Sequence, residues 1–275
     1  MKNKIGLCFT GGGARGAYQI GAAQALSDLG IYENISAFSG SSIGAANVSV
    51  LASTSIEKAR EIWFNIPKDA LKMGDALVTR LKKEKLSIFD NGIYTMEIFN
   101  KIMIDVIDYD TLQEKNVFVT VSESGDMTKG LFELFKSSYK HYIKKDSKVL
   151  YIPLKELDKE DQIKAVTASC SIPAIFPAVT EQNKKYYDGG VFDNTPIHPL
   201  VDFGCDEIII IGISFFAFEF MQSEKFPDVK IHQIKGRKKM GGVLDFSSKH
   251  SERIYKYGYE DTLEYFTKLG YSITL

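Results

Sequence analysis

Short apolar runs of strand length alternate with longer helix-forming stretches along the first part of the chain. Lys4–Phe9 reads as a buried strand, Thr10–Gly13 as a tight turn, and Ala14–Leu29 as a helix stopped by Gly30. Ile35–Phe38 is a second short strand, and a small-residue helix is predicted from about Ser42 to Ser53. Strand, loop and helix occurring twice in this order mark the start of a mainly parallel sheet covered by helices, an α/β chain. "SIEKAREIWFNI", ended by Pro67, opens a helical excursion over about 65–116 that includes a turn at Asn91–Gly92. Val117–Ser122 and Val149–Ile152 read as strands, and Asp158–Ala168 as a helix with an acidic first turn. Pro173 and Pro177 then impose an extended path, and the brief strand Lys184–Tyr187 runs into Asp188–Gly189–Gly190. Glu207–Ile213 is almost wholly apolar, as a central strand requires, whereas 220–245 reads as a variable, basic region before a helix over roughly Lys249–Leu269. No Pro/Gly/Ser-rich linker divides the chain, so a single domain over 1–275 is expected.

Two loops carry candidate chemistry. Gly11, Gly13 and Gly16 satisfy G-x-G-x-x-G directly after a strand and at the opening of a helix, the context of a dinucleotide fingerprint. That reading wants an acidic side chain at the end of the second strand. Glu33 precedes that strand instead, and its end carries Ser39–Gly40–Ser41–Ser42. The same backbone suits another anion. Gly11, Gly12 and Gly13 let main-chain N–H groups converge, and the following helix adds its positive end, so the nest fits a bound phosphate or the transient oxyanion of acyl transfer. Arg15 either adds charge there or braces the loop by bonding carbonyls.

The second loop, Gly40-Ser41-Ser42-Ile43-Gly44, fits G-x-S-x-G between a strand and a helix. The turn this motif makes is so sharp that side chains at Gly40 and Gly44 would collide. Ser42 is therefore expected to project toward solvent as a nucleophile, with the Ile43 amide facing an oxyanion. Ser41 is one residue early and reads as a capping or turn hydroxyl.

A serine hydroxyl needs a base. His141 and His250 lie in polar stretches that read as solvated, His232 in the basic region, and His198 between Pro196 and Pro199. None has the expected setting of a triad histidine after a late strand, so a histidine triad stays open without being favoured. Asp188, at a strand end before two glycines, is the other candidate: a carboxylate touching Ser42 directly accepts its proton if kept dry. A cap on the Gly-Gly turn is the competing role for Asp188.

Composition narrows the classes. Thirty-four basic and 35 acidic residues leave a formal net charge of -1, so no global field recruits nucleic acid. Three scattered cysteines form neither a disulfide framework nor a zinc knuckle, and no carboxylate cluster has ligand spacing, so neither metal nor cofactor is expected. No apolar run has signal-peptide or spanning length, which predicts a cytoplasmic protein touching membranes at most peripherally and transiently.

"GGGARG" (Gly11–Gly16), "GSSIG" (Gly40–Gly44), "ASCSIPAIFPAV" (Ala168–Val179) and "DGG" (Asp188–Gly190), in this order, resemble the patatin-like phospholipase family over about residues 4–214. The resemblance implies a three-layer α/β/α sandwich with a mainly parallel sheet and a lipid acyl hydrolase with a Ser-Asp dyad. It implies Ser42 as nucleophile, Asp188 as base, Gly12 and Gly13 with Arg15 beside them as the oxyanion segment, and Asn194 as the residue ordering the loop after the aspartate. "SIPAIFPAV" is implied to line the site, and Cys170 stands where the family often has a small residue. The excursion and about 215–275 are where members differ most, so the natural ester is not read from them. Asn91–Ile107 and Phe216–Met221 suit an acyl channel or lid as well as ordinary core, and "KGRKK" at 235–239 suits anionic headgroups as well as a solvated loop. The competing class is a phosphate- or dinucleotide-binding protein that uses Gly11–Gly16 without covalent chemistry.

Overall fold

The apolar run predicted as the first strand forms β1 (Ile5–Phe9), and α1 (Ala17–Asp28) follows it through a 3-10 turn at Gly13–Gly16. Next come β2 (Ile35–Ser41), α2 (Ile43–Ser53), α3 (Ile56–Phe64), α4 (Glu97–Val106), α5 (Tyr109–Gln113), β3 (Val117–Ser124) and β4 (Lys148–Pro153). The remainder is α6 (Lys159–Ser169), β5 (Val179–Glu181), β6 (Lys184–Asp188), α7 (His198–Asp202), β7 (Glu207–Gly212), β8 (Lys230–Lys235) and α8 (Ser248–Lys268). This computed structural model describes residues 4–66, 97–124, 148–171, 179–181, 184–188, 193–213, 226–236 and 239–274, with backbone alone at 97–98, 123–124, 148, 179–181 and 184–188. The turn at Asn91–Gly92, most of "SIPAIFPAV", Phe216–Met221, His141 and Gly189–Gly190 lie outside the described residues, as do 67–96 of the excursion and 91–96 of its lid-or-channel stretch.

The sheet runs β5-β6-β3-β2-β1-β7-β8, with β4 also paired to β3. Strands β3, β2, β1, β7 and β8 are mutually parallel, whereas β4, β5 and β6 join by antiparallel pairing. Successive side chains of a strand point to opposite faces, and both faces are covered. Leu7, Phe9, Ile209 and Ile211 enter the larger core with residues of α1, α2, α3, α6 and α8. Cys8, Ile208 and Ile210 enter a smaller core with Ile197 and Leu200 at α7. Chain order reverses around β1, whose neighbours are β2 and β7, so their carboxyl ends form a topological switch point, the place where open α/β sheets bind ligands.

Two expectations are corrected and one strand is added. The second strand runs on to Ser41, because Ser39 donates to the Pro196 carbonyl at 2.7 Å and so satisfies a polar side chain inside the sheet. The region 220–245 contains β8, whose apolar positions Ile231 and Ile234 flank a buried His232. His250 is likewise buried, 3% exposed, because the Gly241 turn packs on its ring. The acidic helix start behaves as read: Asp158 caps α6 by accepting the Asp161 amide at 2.9 Å.

Candidate active site

The strand-to-helix turn is built as its glycines predict. A β-carbon at Gly40 would lie 2.5 Å from the Gly44 carbonyl, and one at Gly44 would run into the Phe9 carbonyl. Between them Ser42 adopts φ 56° and ψ −131°, and it is the one non-glycine residue with positive φ among the described residues. Such a conformation costs about 1–3 kcal/mol and persists only where the surroundings enforce it. Ser42 is 5% exposed, so it is buried at the strand end rather than projecting toward solvent as the sequence led us to expect. The glycine loop covers it: a β-carbon at Gly11 would stand 2.9 Å from the Ser42 Cβ.

The enforcing contacts come from the end of α6. The Ser42 amide donates to Ser169 Oγ at 3.1 Å, and Ser169 donates onward to the Thr120 carbonyl of β3 at 2.6 Å. Cys170 Sγ donates to the Ser42 carbonyl at 3.1 Å, an oxygen that also accepts the Ala45 amide at 2.8 Å. Sequence reasoning missed Ser169, since its partner is 127 residues away and no local pattern announces the bond. Ser169→Ala leaves the buried Ser42 amide without its acceptor, and we expect it to cost about 1–3 kcal/mol. Thermal unfolding checks this: the midpoint should fall by about 2–4 °C for each kcal/mol lost.

The glycine loop is held from three sides. Gln19 donates to the Thr10 carbonyl at 2.7 Å. Asn47 donates to Gln19 at 2.8 Å and to the Gly16 carbonyl at 3.0 Å, and Trp63 donates to Asn47 at 2.9 Å. This buried chain of amides fixes both ends of the loop from below, and nothing in the spacing of its members predicted it. From above, the Ala14 amide donates to the Val243 carbonyl at 2.7 Å. Arg15 donates to the Gly241 carbonyl from Nε at 3.0 Å and from Nη2 at 2.7 Å, and to the Ile213 carbonyl at 3.4 Å. Of its two sequence-based roles Arg15 thus performs the brace; burial lowers its pKa, yet a guanidinium stays charged.

The loop's amides divide into two sets. The Gly11 amide is occupied by Asn194 Oδ1 at 3.0 Å, which ties the glycine loop to the segment following β6. That segment is itself fixed: Asp193 accepts the Thr195 amide at 3.0 Å and the Tyr151 hydroxyl at 2.6 Å. Burial first, and then Asp193, push the Tyr151 phenol well above its ordinary pKa, so it remains a donor. The amides of Gly12, Gly13 and Ile43 bond no described residue. Gly13 has φ 59°, and its place against the Val243 carbonyl excludes a side chain.

Strand register brings Asp188 to the same end of the sheet. Thr120 of β3 faces Ser41 across one edge and Tyr151 across the other. The next residue, Val121, faces Leu150 and Asp188. As β4 runs along one edge past both residues, β2 and β6 share the opposite edge end to end, and the Asp188 backbone stands where β2 leaves the sheet at Ser42.

The described histidines have other partners. His232 bonds Glu207 at 2.8 Å and Tyr265 at 3.2 Å. His250 Nδ1 lies 3.1 Å from an Arg253 nitrogen and 3.5 Å from Asp245. Burial lowers the His250 pKa, with Arg253 and Arg15 acting in the same direction against Asp245. His198 is exposed beside the rings of Tyr151 and Phe226. Among the described residues no hydrogen bond joins Ser42 to a histidine.

A family model for patatin-like phospholipase matches residues 7–201, well over half of the chain. Lysophospholipase NTE1 of Cryptococcus neoformans is 25% identical over 215 residues, 76% of this chain and 11% of that protein. The chain therefore spans about a tenth of the length of the curated relatives it matches. Among solved structures, VipD from Legionella pneumophila aligns with a TM-score of 0.50 at 14% identity, over 98% of this chain and 67% of VipD, a likeness of fold.

Proposed function

Because the chain belongs to the patatin-like phospholipase family, we propose that it is a serine acyl hydrolase that cleaves carboxylic esters of lipids, with Ser42 as nucleophile and Asp188 as general base. The observation that carries this reading is the strained Ser42 at φ 56°, held at the sheet's carboxyl edge beside a glycine loop. The register of Val121 with Asp188 supports the second residue.

In the proposed sequence an ester carbonyl enters above Ser42. Asp188 takes the hydroxyl proton as the serine oxygen bonds to the carbonyl carbon, and the negative charge moves to the carbonyl oxygen. The amides of Gly12, Gly13 and Ile43 receive that charge, while Gly11 serves through its bond to Asn194. Collapse breaks the bond to the alcohol, which leaves with the proton from Asp188. Water then attacks the acyl-serine, giving Asp188 its proton and releasing the carboxylic acid as Ser42 is re-protonated. Lipids whose esters fit this scheme include phospholipids and lysophospholipids, and the name of the Cryptococcus relative supports the latter.

Product analysis tests the reading. Incubation with a phosphatidylcholine and a lysophosphatidylcholine is expected to release free fatty acid that appears by mass spectrometry. Intact lipid after prolonged incubation, together with tight binding of a nucleotide or phosphate at the Gly11–Gly16 loop, would favour the non-covalent alternative.

A further inference from the structure

The segment 239–247 that leads into α8 is pinned on both sides of a bare tip. Met240 is 7% exposed, Gly241 accepts from Arg15, Val243 accepts the Ala14 amide, and Phe246 stacks on Trp63 with centroids 5.9 Å apart and planes 10° from parallel. Between these anchors the side chains of Val243 and Leu244 are 41% and 43% exposed. Two bare aliphatics on a frayed loop would mean little, but here the flanking residues hold the backbone in place. The Val243 carbonyl that fixes the tip accepts the Ala14 amide and packs on Gly13, so the pair is carried by the same glycine loop that borders Ser42.

Charge around the tip departs from that of the chain. Among the described residues of 235–253, Lys235, Lys239, Lys249 and Arg253 stand against Asp245 and Glu252, an excess of two positive charges (four minus two) on a chain of net charge -1. Both acids accept serine hydroxyls: Ser247 donates to Asp245 at 2.7 Å and Ser248 to Glu252 at 3.0 Å. Lys239 and Lys249 are exposed. No helix among the described residues is long and apolar enough to cross a membrane.

From the anchored tip and its basic surroundings we infer that Val243 and Leu244 form the point at which the protein docks on an anionic lipid surface, the aliphatic pair entering the headgroup boundary and the basic side chains meeting the headgroups. This rests on the lipid-ester reading and adds to it the surface through which substrate is met. Two aliphatic side chains alone bind a bilayer weakly, so both components are needed and salt weakens the contact.

The test uses Ser42→Ala protein, which leaves the vesicles unconsumed, in co-sedimentation with phosphatidylcholine vesicles containing about 30% phosphatidylglycerol. Binding is expected to these vesicles and to be roughly tenfold weaker to phosphatidylcholine alone. Leu244→Ser should weaken it by roughly tenfold with the unfolding midpoint retained. Lys249→Glu should weaken it as well and flatten its dependence on salt. Parent protein that ignores anionic vesicles, or variants that bind as well as the parent, would overturn the inference. So would a Leu244→Ser protein that changes oligomeric state while its vesicle binding stays intact, since the tip would then be a protein contact. Labelling of Ser42 by a fluorophosphonate, read on the Ser42 protein, separates the two proposals. Labelled protein that fails to bind vesicles removes the docking surface alone, whereas unlabelled protein that binds them and loses binding with Leu244→Ser upholds the docking surface and removes the hydrolase reading.

Discussion

Ser42→Ala is expected to lower ester turnover by about 10⁴- to 10⁶-fold, because without the nucleophile only binding and oxyanion stabilisation remain. The backbone around residue 42 separates this outcome from simple unfolding. At φ 56° and ψ −131° any side chain is strained, and alanine inherits that strain from serine. Ser42→Gly removes it and should raise stability by about 1 kcal/mol or more while abolishing turnover just as completely. A pair of inactive variants, one no less stable than the parent by much and the other more stable, is the signature of a residue kept for chemistry at the expense of the fold. Steady-state ester hydrolysis and thermal unfolding on the same preparations check both halves. Retained turnover in either variant would remove Ser42 from the mechanism.

Asp188→Asn is expected to lower turnover by about 10²- to 10⁴-fold, since the amide keeps the shape of the carboxylate but accepts no proton. The pH profile carries further information. Wild-type activity should fall as pH drops through the pKa of the base, whose deprotonated form is the active one, and the residual activity of the variant should lack that limb. His198→Gln, in contrast, should leave turnover nearly unchanged, because the His198 ring packs beside Tyr151 and Phe226 at an exposed position. A profile whose acid limb survives in Asp188→Asn and disappears in His198→Gln would transfer the base role to the histidine.

What the sequence revealed of the site depended on contact range. Gly40, Ser42 and Gly44 are adjacent in the chain, and their collision-free turn follows from residue size alone, as the close approaches at Gly40 and Gly44 bear out. The glycine loop was legible for the same reason, although which amides remain open depended on Asn194, a contact across 183 residues. Ser169 and the chain from Trp63 through Asn47 and Gln19 to Thr10 stayed hidden, because each is a polar residue in a helix whose partner lies on another element. One histidine was misjudged through its neighbours, and the strand that carries another was missed. Polar sequence around His250 suggested solvent, yet the Gly241 turn covers it, and basic composition around His232 masked a strand whose pairing with β7 buries the ring. Local composition reports what a segment tolerates on its exposed side, while burial is decided by what packs on the other.

The most direct measurement is the rate of covalent modification by a long-chain fluorophosphonate, followed by peptide mass spectrometry. A single adduct on the peptide containing Ser42 is predicted, absent in Ser42→Ala and forming at least about 100-fold more slowly in Asp188→Asn. No adduct on Ser42, or an adduct that forms in Asp188→Asn as fast as in the parent, would contradict the assignment of these two residues to one proton-transfer pair.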